Sequence, residues 1–118
     1  MRLALVLLCL PTLAAAQQTF SRTYWPVSVD SLAIGQTVHT HVVVTGRVTL
    51  LRHEADGDTH LKLVGRTGFI VAECIPALPC AFLPKVGQRV TVYGISRRDV
   101  EHGWYEVHPI ERLERLPP

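Results

Sequence analysis

The stretch "HEADGDTHLKL" (residues 53–63) gathers two histidines and three carboxylates around one glycine. A second stretch, "EHGWYEVHP" (residues 101–109), repeats the same chemical types and adds a tryptophan. Imidazole and carboxylate together are the ligand set of zinc and related divalent metals. The same groups can act as a general acid and base. They also serve a purely structural role, since Asp side chains bond nearby backbone N–H groups in a turn and a histidine can tie a strand to them. No H-E-x-x-H, no paired C-x-x-C and no complete EF-hand loop accompanies the two stretches. There is no Gly-framed serine nucleophile either. Spacing alone therefore leaves the chemistry open between a metal site, acid–base work and a structural clasp.

The elements that carry these residues read as strands. From Val38 to Leu50, Val38, Thr40, Val42, Val44, Gly46, Val48 and Leu50 share one parity. His39, His41, Val43, Thr45, Arg47 and Thr49 share the other. This alternation predicts a long half-buried strand, with Gly46 marking a bend or bulge. Asp56-Gly57 is a hairpin-turn signal. It leads to a second strand over 59–64, and the tight turn "GRTG" (65–68) leads to a third over 69–74. A proline-rich connection, "IPALPCAFLPKVG", has room for at most a short helix. A fourth strand is expected at 88–96, and a fifth from Trp104 to about Leu113, with Pro109 at an edge or bulge. Before them, "SVDSLAIG" (28–35) suits one short helical turn capped by Ser28 or Asp30.

Five strands with the longest first predict an all-β, five-stranded Greek-key barrel of the OB type. The paired motifs "DGDTHLKL" and "EHGWYEVHPIERL" resemble a group of small exported bacterial OB-fold proteins of uncharacterised function. Those proteins carry an Asp-Gly-Asp-x-His turn and a His-Gly-Trp-x-Glu-x-His-Pro strand. The resemblance covers about residues 38–113 and implies the fold, not an activity.

In an OB barrel the loops after the first and fourth strands flank the ligand face. The two polar stretches would then meet there, about forty residues apart in sequence. Parity puts Leu61 and Leu63 inward, His60 and Lys62 outward, and Trp104, Glu106 and His108 on one face of the fifth strand. The expected ligand-binding set is Asp56, Asp58, His60, Lys62, His102, Trp104, Glu106 and His108. Asp58, His60, Glu106 and His108 are the candidate ligands if the cofactor is a divalent metal. His39 and His41 are a further pair that can join it. No catalytic residue is singled out, and a binding module is preferred to an enzyme. The alternative is a metal-dependent or acid–base hydrolase using the same cluster. Oligonucleotide or oligosaccharide are the default ligands of such a face. Tyr93, Trp104 and Tyr105 are its possible aromatics, and Arg47, Lys62, Arg89, Arg97 and Arg98 its possible cations. A net charge of +2, with no basic stripe, does not support nucleic acid.

The chain opens "MRLALVLLCLPTLAAAQQ", a short positive start, a short apolar run and small residues. This predicts a signal peptide over 1–16, cleaved near Ala16, and export to the periplasm or medium. Residues 17–37 then form a lead-in and 38–118 the barrel domain. No other apolar run has the length of a membrane span. Cleavage removes Cys9, and the even pair Cys74 and Cys80 predicts a disulfide in an oxidising compartment.

Overall fold

A computed structural model describes residues 23–118. The expected signal peptide, its cleavage point near Ala16 and Cys9 lie outside the described residues. The elements are β1 (Trp25–Pro26), α1 (Val29–Ala33), β2 (His41–His53), β3 (Thr59–Val64), β4 (Phe69–Cys74), β5 (Arg89–Asp99) and β6 (Trp104–Arg115). The sheet order is β1-β2-β3-β4-β6-β5, and β2 pairs again with β5. That last pairing closes a five-stranded barrel of the OB type from β2 to β6. β4 and β6 run parallel, while the other barrel pairs are antiparallel. No helix among the described residues is long and apolar enough to cross a membrane.

β2 holds the barrel together because it serves two partners in turn. Residues 41–47 pair with β5 and residues 47–53 with β3, so the strand changes partner at Arg47. Its inward residues Val42, Val44 and Val48 are completely buried. The alternation read from the sequence then breaks. A register shift between Val48 and Leu50 turns Leu50 outward, where it is half exposed. The bulge is therefore not at Gly46, where the sequence suggested a bend or bulge. Gly46 instead makes room, since a Cβ there would lie 3.0 Å from the Val29 side chain and 3.1 Å from Leu63. At the other end β2 starts at His41, leaving Val38 outside the strand and exposed.

The neighbour that needs this space is α1. Ser28 caps it by accepting from the Ser31 N–H at 3.0 Å. Val29 and Leu32 then enter the core beside Leu61, Leu63, Ile70, Val90, Val92, Val107 and Ile110. The lead-in thus packs on the barrel from at least Trp25, which pairs through β1 with β2. Asp30 does not cap α1. Its carboxylate accepts from the N–H groups of Arg66, Thr67 and Gly68, at 3.1, 3.0 and 2.9 Å. Those three bonds hold its carboxyl below the usual range and fix the turn between β3 and β4.

The proline-rich connection after β4 contains no helix and is closed by the Cys74–Cys80 disulfide. β5 continues three residues past the expected end, to Asp99. Pro109 falls where the β5–β6 register shifts between Gly94 and Ser96, so it occupies a bulge in a closed barrel and not a free edge.

Candidate functional site

Four strands deliver the polar residues to one end of the barrel. The β3–β4 hairpin is antiparallel and places His60 opposite Glu73. The parallel β4–β6 pair matches Ala72 with Val107, so Glu73 and His108 come next on the two strands. The β5–β6 pair sets Arg97 opposite Glu106. Above them, the β2–β3 loop is shaped by its own bonds. Asp56 accepts from the Asp58 N–H at 3.0 Å, and the Glu54 N–H donates to the Asp58 carbonyl at 2.8 Å. Gly57 supplies the positive φ (94°) that this turn requires.

Glu73 is the centre of the arrangement and only 4% exposed. Its Oε1 lies 3.0 Å from His60 Nε2, and its Oε2 lies 2.9 Å from His108 Nε2. The same His108 nitrogen is 3.4 Å from Asp58 Oδ2. His60 Nδ1 faces Glu54 Oε1 at 3.6 Å. Asp58, Glu73 and His108 each offer one ligand atom, and these atoms all lie within 4.8 Å of one another. Burial pushes the Glu73 carboxyl up to about 8, helped by the negative charges of Glu106 and Asp58 and opposed by Arg97.

Glu106 lies beneath this group, fully buried, where the sequence reading placed it on the surface of the cleft. Arg97 Nε donates to one of its oxygens, and Trp104 Nε1 donates to the other at 3.2 Å. The bond to Glu106 raises the Arg97 pKa further. Glu106 is thereby occupied and does not belong to the Asp58–Glu73–His108 group. His60 stands just outside that group, holding the second oxygen of Glu73.

The cleft above has a volume of about 450 Å³. Glu54, Asp56, Asp58, Glu73, Asp99 and Glu101 line it, facing Arg97 and the histidines 60, 102 and 108. Among the described residues, six acidic side chains thus meet one permanent cation. His102 is tied to Asp99, with Nδ1 2.7 Å from Oδ2, and this contact raises the histidine and lowers the aspartate. The His102 ring stacks on Trp104 with centroids 4.4 Å apart and planes 2° apart. Trp104, in turn, borders a smaller, more enclosed groove of about 210 Å³ with Leu50, Phe69, Val71 and His60. Lys62 is in this groove and not in the acidic cleft, its ammonium 4.2 Å from the Phe69 ring centre. The two hollows share Glu54, His60 and His102 and form one continuous face.

The other candidate residues lie elsewhere. His39 stacks on Trp25 at 4.1 Å, and His41 meets the edge of Tyr24. Neither lines the cleft. Tyr93 lies under the Arg112 guanidinium and Tyr105 under that of Arg98, so neither ring extends a stacking platform from Trp104. Arg47 donates to the Gly87 carbonyl at 2.7 Å. Arg89 lines a separate hollow with Arg47 and the C-terminal prolines.

Glu73 is the residue that sequence reasoning missed. Its signal was available: a turn pairing Val64 with Phe69 fixes the hairpin register, and counting back four residues puts His60 against Glu73. Arg97, named among the possible cations, does line the cleft, but its pairing with Glu106 was not legible because the fourth strand was ended at Ser96. No family model and no curated protein matches this chain.

Proposed function

We propose that this is an exported OB-fold binding module and that its ligand is an oligosaccharide, seated across the acidic cleft and the Trp104 groove. One observation carries the choice. The cleft sets six acidic side chains, Glu73 among them in its protonated form, against a single Arg, directly beside a half-buried tryptophan. A polyphosphate backbone would be repelled from this mouth, because nucleic-acid affinity rests on Lys and Arg neutralising phosphates. Sugar hydroxyls, by contrast, are donors that carboxylates accept, while the apolar face of a pyranose suits an indole. The groove adds an apolar wall of Leu50, Phe69, Val71 and Trp104 on which such a face can rest. The disulfide accords with an oxidising compartment and hence with export.

The test is a glycan array followed by calorimetry on the best hits, with a single-stranded oligonucleotide as the competing ligand. Glycan binding lost in Trp104→Ala, with folding unchanged, supports the reading. Salt-sensitive oligonucleotide binding, or glycan binding indifferent to Trp104→Ala, overturns it.

A second reading draws on one specific feature. Glu73 holds its proton near neutral pH while Asp58 stands beside it, and carboxyl pairs whose proton affinities are pushed apart serve as acid and base in glycoside hydrolysis. Release of reducing sugar by the wild type and not by Glu73→Gln would favour this hydrolase.

A further inference from the structure

We infer that Asp58, Glu73 and His108 bind one divalent transition-metal ion, with a coordination position left open towards the cleft. The inference adds a metal to the ligand cleft proposed above, but it rests on donor geometry and not on the identity of the sugar.

Three facts lead to it. First, the donor set is right: two carboxylates and one imidazole are borderline-to-hard ligands of the kind that Zn²⁺ and its neighbours take. Second, the spacing is right. Zinc–ligand bonds of about 2.0–2.2 Å at tetrahedral angles separate the ligand atoms by roughly 3.4 Å. His108 Nε2 is already 2.9 Å from Glu73 Oε2 and 3.4 Å from Asp58 Oδ2. The third pair, Asp58 and Glu73, also lies within 4.8 Å. Third, the one guanidinium that lines the cleft among the described residues is already engaged: Arg97 donates to Glu106 and not to Asp58 or Glu73.

The surrounding residues then have defined tasks. His60 Nε2 holds the non-ligating oxygen of Glu73, and Glu54 faces the other nitrogen of His60. This is a positioning chain of the sort that orients metal ligands from behind. Asp58 comes from the β2–β3 loop and the other two ligands from β4 and β6. Among the described residues three protein ligands are supplied, so the fourth place is available to an oxygen of the bound ligand or to water.

The experiment uses the mature protein, stripped with EDTA, dialysed and titrated with ZnCl₂ against a chromophoric competitor. One equivalent is expected to bind, with a Kd of about 1 μM or tighter. Asp58→Asn and His108→Ala should each weaken it by at least roughly 100-fold, and His60→Gln by roughly 10- to 100-fold. The double control His39→Ala/His41→Ala removes histidines far from the cleft and should leave binding unchanged. Zinc should also raise the Tm of the wild type and not that of Asp58→Asn, which serves if His108→Ala folds poorly. Less than one equivalent bound, binding intact in both Asp58→Asn and His108→Ala, or binding lost in the double control overturns the assignment. Glycan binding repeated in EDTA separates the two proposals. Sugar bound without any zinc site leaves the lectin reading standing alone, and stoichiometric zinc without sugar leaves the metal site standing alone.

Discussion

Removing the guanidinium of Arg97 should cost much more than removing the carboxylate it holds. Glu106 has no exposed side-chain surface, whereas half of the Arg97 side chain is in solvent. In Arg97→Met, Glu106 loses its only cationic partner among the described residues and keeps the Trp104 N–H and the neighbouring Glu73 carboxyl. An uncompensated buried charge of this kind costs about 3–5 kcal/mol. Water reaching in along the vacated Arg97 path places the expectation near 3. In a domain of this size that corresponds to a fall in Tm of roughly 12 °C or more. In Glu106→Leu the Arg97 head group simply returns to water, and the main loss is one hydrogen bond to Trp104, about 1 kcal/mol. The double variant Arg97→Met/Glu106→Leu should lie close to Glu106→Leu, giving a coupling of about 2–3 kcal/mol. The assay is urea unfolding at pH 7 in EDTA, followed by circular dichroism and by tryptophan fluorescence. Equal costs for the two single variants, or less than about 1 kcal/mol for Arg97→Met, would refute the burial argument.

Other expectations follow from the same contacts. Glu73 has its carboxyl raised from 4.5 to about 8, so its protonated form favours the fold; that contribution is complete below pH 4.5 and is lost as pH rises through 8. Between these limits it makes wild-type stability fall by about 1.4 kcal/mol per pH unit relative to Glu73→Gln, measured in urea at pH 5, 6 and 7 with EDTA, and parallel profiles would rule it out. Asp30 is the opposite case: its lowered carboxyl supports the fold above pH 3.8 and ceases to do so as acid protonates it, so Asp30→Asn should speed hydrogen exchange at the amides of residues 66–68. Replacing both Cys74 and Cys80 by Ala opens a loop six residues long and should cost about 2 kcal/mol in urea unfolding; no loss would mean that the loop is ordered without its bridge.

Much of the barrel was legible because its signals are local. The β3 and β4 boundaries follow from Asp56-Gly57, the "GRTG" turn and Cys74, each a short-range marker of where a strand begins or stops. The helical turn was legible for the same reason, with Ser28 or Asp30 as its cap, and Ser28 is the one that caps it. The errors lie where tertiary packing overrides pattern. Val38 and Leu50 continue the apolar parity of β2 yet stand in solvent, the first because the strand starts later and the second because of the bulge after Val48. Gly46 reads as a bend until Val29 is seen packed against it. Glu73 sits in an apolar run, "FIVAEC", and only its partners across two strands reveal what it does. His60 and His108 were read by parity on outward strand faces and Asp58 in the turn, but it is the β3–β4–β6 register through Glu73 that brings them together.

The network is certainly a clasp, since it joins three strands and a loop, and no buried side-chain nitrogen or oxygen among the described residues lacks a partner. A clasp alone, however, does not account for its charge. His60 and His108 can tie β3 to β6 through any acceptor at position 73, and a neutral amide there would satisfy both rings. Nor would an amide place a further carboxylate beside Asp58 and Glu106. The sequence has instead put an ionisable carboxyl where burial and like charge both oppose its ionised form. Groups perturbed in this way, in a cleft, concentrate where a protein must bind or react, and they are retained against the interest of stability. A cation drawn into the cleft, or a ligand with hydroxyls to donate, relieves the conflict that the strands create. The same substitution therefore discriminates. If Glu73→Gln strengthens the fold above neutral pH and abolishes binding, the carboxylate is held there for a ligand; if it leaves binding untouched, the clasp is all that the three strands have built.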